Sequence, residues 1–217
     1  VSQVFPPPSP LKVCNRFIDP GALVSFTGKT ILIKNQKSIQ LIAAIGLISG
    51  AVFGMTGSFV SSVSLRSLAW GIDGISLVVA TALLTVFYFR KGSDITASGF
   101  LVFAIGQSLV LSSSGPALDT NVFIFGAGAG LWSTSLFLIS SQKTYPVILR
   151  FTGAVAAILF AIVAVQVFMN QAINAGSKPF PFYAFPFFAF TILGWAWMLG
   201  KKAVGPGEGD QAAKTLV

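Results

Sequence analysis

The stretch WGIDGISLVVATALLTVFYFRKG, Trp70 to Gly92, holds one acid, Asp73, in an apolar run that closes on Arg90 and Lys91. At about 1.5 Å of rise per residue such a run crosses the roughly 30 Å of a bilayer's hydrocarbon. Composition extends that reading to the whole chain. Of 217 residues, 54% are hydrophobic and 9% charged, against the roughly 25% charged that a soluble domain carries. So few charges cannot cover a water-facing surface, and the apolar residues fall in blocks of membrane length.

Six such blocks separate, at about 38–60, 67–89, 95–114, 121–141, 149–170 and 180–200. The expected fold is an all-α integral membrane protein, a compact bundle of six transmembrane helices. Short links force neighbouring helices to run antiparallel. One side of the membrane then collects Lys12, Arg16, Lys29, Lys34, Lys37, Arg90, Lys91, Lys143, Arg150, Lys201, Lys202 and Lys214, and the other only Arg66 and Lys178. Positive residues mark the cytoplasmic side, so both termini are expected there, in the cell membrane. The net charge of +8 is accounted for by this topology, and no nucleic-acid partner is expected because the cations form no basic helix face.

Residues 1–37, with VFPPPSP, lack the apolar core of a signal peptide and read as a flexible cytoplasmic arm. Residues 201–217, with GPGEGDQAAKTLV, read as a disordered cytoplasmic tail. The sequence opens on Val1 with no Met before Met55, so the translation start is expected at a non-standard codon or upstream.

Several chemistries are set aside by residue type. Cys14 is the one cysteine and there is no histidine, which removes disulfides within the chain, multi-Cys metal sites and His-ligated haem, copper or zinc. No lysine lies inside an apolar block, so a buried retinal-type Schiff base is not expected. The spans hold no paired carboxylates and no nucleophile with an evident base. No enzyme activity, catalytic residue, metal or cofactor is expected.

Glycines carry the packing signal. Gly46, Gly50, Gly54 and Gly57 form a stripe on the first span, and GAGAGLW places Gly126, Gly128 and Gly130 in the fourth. Small residues three and four apart let backbones approach where van der Waals contact replaces the hydrophobic driving force. The first stripe suits packing within the chain or a homo-oligomer contact. The GxGxG string follows no strand, so helix packing accounts for it better than a nucleotide site.

The halves echo one another. GAVFGMTGS (Gly50–Ser58) resembles GAGAGLWST (Gly126–Thr134), Leu65-Arg66 matches Leu149-Arg150, and Phe100, Phe103 and Ala104 match Phe185, Phe188 and Ala189 in spacing. With three spans in each half, a duplication would invert the second, giving a 3+3 inverted repeat as in many transporters.

Asp73 is the acid inside a span, seven residues beyond Arg66 and therefore about 10 Å deeper along the helix. Burying it costs roughly 2.5 to 3.5 kcal/mol at a span's centre, so it must face protein or water. Gln107, Thr56 and Ser58 lie at matching depth and are its candidate companions. Arg66 falls on the same face, but helical side chains lean toward the N-terminus, which turns it away. Asp73 is either the responsive group of a solute path or a hydrogen-bonded staple seated by Gly71 and Gly74. In the last span, KPFPFYAFPFFAF, Pro186 is expected to kink the helix near Phe182, with Tyr183 as an interfacial anchor and a lipid or hydrophobic-ligand groove beside them. The leading functional reading is a small transporter or channel whose path passes Asp73. The alternative is a non-catalytic membrane subunit, assembly factor or sensor that binds protein or lipid through its glycine-rich and aromatic faces.

Overall fold

The computed structural model describes residues 26–113, 121–169 and 181–204, with side chains over 36–113, 121–169 and 183–203. These residues form α1 (Phe26–Phe59), α2 (Val63–Arg90), α3 (Asp94–Ser113), α4 (Val122–Ser141), α5 (Val147–Phe168) and α6 (Pro181–Val204). All six are long and apolar enough to cross a membrane, and the chain is a multi-pass membrane protein. The boundaries fall within a few residues of those read from the apolar blocks, except at two outer ends. There α1 reaches back to Phe26 and α6 runs on to Val204, because the backbone continues helical past the last apolar residues. The remainder of the arm and of the tail lies outside the described residues.

Each helix packs against its two neighbours in the chain, and α1 against α6, so the six close into a ring. Glycine contacts fix the sense of each pairing. A Cβ built at Gly57 would meet Trp70, one at Gly54 Asp73, one at Gly50 Leu77 and one at Gly46 Ala80. Residue number rises along α2 as it falls along α1, so the pair is antiparallel. All four glycines of the stripe face α2. Gly126 and Gly130 serve the α4/α5 contact, against Val167 and Ala164, and Gly128 lies against the Gly106 carbonyl of α3.

The bundle has two ends, one where α1 turns into α2 (the Arg66 end) and one where α2 turns into α3 (the Arg90 end). Aromatic rings fill the centre of the ring along this axis. At the Arg90 end the Tyr145 hydroxyl donates to the Tyr88 hydroxyl at 2.7 Å. Tyr88 stacks on Phe100 at 5.5 Å, and Trp195 meets Phe100 edge-on at 5.2 Å. Nearer the Arg66 end Phe103 stacks on Phe188 at 5.6 Å, and Trp132 contacts Phe188 and Phe160, each at 5.0 Å. Offset and edge-on ring pairs contribute about 0.5 to 1.5 kcal/mol each beyond the area they bury. Three of these contacts join helices that are not ring neighbours, Phe100 to Trp195 and Phe103 to Phe188 between α3 and α6, and Trp132 to Phe188 between α4 and α6.

Leu41, Ile45, Ile48 and Val52 of α1, Leu68, Ile75 and Val79 of α2, and Phe151 and Ile158 of α5 are exposed. Apolar exposure spread around the bundle is what a lipid-facing surface requires and a water-facing one does not tolerate.

Candidate functional site

The glycine stripe decides where Asp73 sits. A Cβ at Gly54 would lie 3.1 Å from the Asp73 Cγ and 3.2 and 3.3 Å from its two oxygens, and one at Gly50 would lie 3.3 Å from Oδ1. The carboxyl group therefore occupies space that any larger residue on α1 would fill. Asp73 is half-buried. On the α3 side, where Gly74 admits Leu111, the Gln107 side chain interacts with the carboxyl. Gln107 is 2% exposed, and its Oε1 has no partner. The amide nitrogen is therefore the atom available to Asp73, and the amide carbonyl is left over.

Span hydroxyls are satisfied differently. Thr81, Thr85 and Thr191 donate to the carbonyl four residues back, at 2.7, 2.9 and 2.7 Å, the usual solution where water is absent. Among the described residues, Gln107 Oε1, Trp132 Nε1 and Ser140 Oγ are buried without a partner. Two of these belong to the surroundings of Asp73. Ser140 lies toward the Arg90 end, beside Gly153.

A cavity opens beside the carboxyl, between α1, α2, α4 and α6. It offers ≈ 110 Å³ to the centres of water molecules, room for several waters when one needs roughly 10 to 15 Å³ by that measure. Trp132, Phe188 and Ile192 form its buried floor, and Met55, Ser58, Phe59 and Pro186 its exposed rim. Among the described residues that line it none carries a positive charge, and Asp73 is the one acid. Below the floor the stacked rings from Phe103 to Tyr88 occupy the axis, so the cavity faces the Arg66 end.

The sequence-predicted residues divide. Asp73 and Gln107 come together, and Ser58 reaches the rim while donating to the Gly54 carbonyl at 3.2 Å. Thr56 is exposed, donates to Val52 O at 2.8 Å and does not line the cavity. Arg66 sends Nε and Nη2 to the Val60 carbonyl at 3.1 and 2.9 Å and lies 5.9 Å from the Trp70 ring. It faces the α1/α2 turn, as the lean of helical side chains implies. Gly71 meets nothing within 4 Å, so of the two glycines flanking Asp73 only Gly74 admits a neighbour. Helix α6 runs unbroken through Pro186, Tyr183 is exposed, and the Phe182 side chain lies outside the described residues.

Trp132, Phe185 and Phe188 line the cavity without having been singled out as site residues. Aromatics are too common in membrane helices to flag a site. The usable hint is that Trp132 follows the GAGAG string that draws α4 against α3 and α5. Among the described residues no group of three or more His, Cys, Asp or Glu side chains gathers, so the chemistry on offer is one carboxyl, one amide and ring faces. No protein family, curated protein or solved structure matches this chain.

Proposed function

We propose that the protein is a small transporter that takes a solute into the cavity at Asp73. It sits in the cell membrane with both termini cytoplasmic, so the Arg66 end is the outer one. The observation that carries this reading is the cavity itself, a space with an exposed rim that leads to the one acid within a span. Twelve Lys and Arg against two support the orientation. The ring filling at the Arg90 end suits an alternating-access state closed on the inner side better than a channel.

A 3+3 inverted repeat belongs to this proposal. The ring of helix contacts maps onto itself when α1–α3 exchange with α4–α6. Arg66 and Arg150, matched in the sequence, also share a task. Arg66 binds the carbonyl of Val60 just past α1, and Arg150 Nε binds the carbonyl of Ser140 in the last turn of α4, at 2.9 Å. Each tethers the second helix of its half to the end of the first.

The test is counterflow in proteoliposomes with radiolabelled organic cations, neutral polyols and carboxylates. Exchange of one class, lost in a folded Asp73→Asn protein, is expected. Absence of exchange for every class overturns transport. A ligand that binds without being moved selects the sensor or subunit reading.

A further inference from the structure

We propose that the occupant of the Asp73 cavity is a monovalent organic cation with an apolar body, an amine or quaternary ammonium of modest size. The inference rests on reading the cavity as a solute site, and it deepens that reading by naming the solute's chemistry.

The lining supplies the argument. A carboxylate set among apolar helices needs a positive charge nearby, and the described lining residues supply none. Arg66, the nearest cation along α2, is committed to the Val60 carbonyl. Gln107 lies outside the lining and its Oε1 is buried, so the carboxyl is the one charged group that the described lining offers. An anion finds no charge to meet there. A bare metal ion needs about six oxygen ligands, and the lining adds one hydroxyl, that of Ser58, to the carboxyl. The remaining walls are Leu77, Ile192 and the rings of Trp132, Phe185 and Phe188. Such walls take an apolar body, and ring faces attract a cation. One carboxylate balances one positive charge.

The test uses the purified full chain in detergent at one pH, with calorimetry of benzyltrimethylammonium against its uncharged carbon isostere, 2,2-dimethylpropylbenzene, and against sodium and benzoate. Saturable binding of the cation, at least tenfold tighter than the isostere and absent for benzoate, is expected, with a tenfold or greater loss in Asp73→Asn. Equal affinity for the isostere, preference for benzoate or sodium, or no cation binding overturns the proposal, and this comparison within the unmodified protein does not depend on any variant folding. Counterflow separates the two readings. A cation that binds without exchange leaves this inference standing and sinks transport, whereas exchange of a neutral or anionic solute does the reverse.

Discussion

Gly54 of α1 lies against the Asp73 carboxyl of α2, so closely that a methyl group there would come within 3.1 Å of Cγ and 3.3 Å of both oxygens. The acid is held in a seat made by the absence of a side chain. Gly54→Leu fills that seat. Overpacking of this kind costs about 1 to 3 kcal/mol, and the variant is expected to unfold at lower denaturant in micelles and to lose solute occupancy. Gly54→Ala is expected to be milder, since the carboxyl need shift by only a fraction of an ångström. Unchanged unfolding of Gly54→Leu would show that α1 and α2 do not pack as described.

The Asp73 and Gln107 side chains interact between α2 and α3. A double-mutant cycle of Asp73→Asn and Gln107→Leu is expected to give a coupling of about 0.6 to 1.7 kcal/mol, the range measured for hydrogen bonds within membranes. Zero coupling in equilibrium unfolding would separate the two residues.

Tyr145 lies in the turn between α4 and α5, and its hydroxyl donates to Tyr88. Burial, with Tyr88 adding to it, pushes the Tyr145 phenol well above its usual value of 10.0. An acid whose pKa is raised by folding contributes stability that is whole below its unfolded pKa and lost as pH climbs through the folded one. Thermal stability is therefore expected to hold from pH 7 to about 9.5 and to fall above about 10. Tyr145→Phe is expected to cost about 1 kcal/mol at neutral pH and to flatten the alkaline fall. A fall that keeps its steepness in Tyr145→Phe assigns it to another group.

Topology is open to direct labelling on a Cys14→Ser background. Ser61, exposed in the α1/α2 turn, and Thr144, exposed in the α4/α5 turn, lie at opposite ends of the bundle. With a membrane-impermeant maleimide, Ser61→Cys is expected to react in intact cells and Thr144→Cys only after lysis. The reverse pattern would invert the orientation and place the cavity on the cytoplasmic side.

The arginine tethers predict parallel losses. Arg66→Gln and Arg150→Gln each remove a charge-assisted bond to a helix-end carbonyl, and bonds of that kind contribute about 1.5 to 3 kcal/mol. Both arginines are part-buried in the structure, so losses toward the lower figure are expected, of similar size. A large loss at one and none at the other would argue that the two halves do not share this device.

The sequence by itself determined the membrane class, the six helices and their boundaries to within a few residues. It also set the antiparallel order of neighbours and the isolation of Asp73 as an acid in hydrocarbon. These follow from local composition and length, because a bilayer imposes its thickness on each segment separately. The match of Asp73 with Gln107 was legible too, since depth is a one-dimensional quantity that residue counting supplies. Rotation about each helix axis is not. Only tertiary structure decided that the glycine stripe faces α2, that Thr56 and Arg66 turn away from the acid, and that Trp132, Phe185 and Phe188 join Asp73 around one cavity. Those choices depend on side chains from four helices filling one space, and in membrane spans that are apolar on every side the sequence pattern gives little sign of which face turns inward.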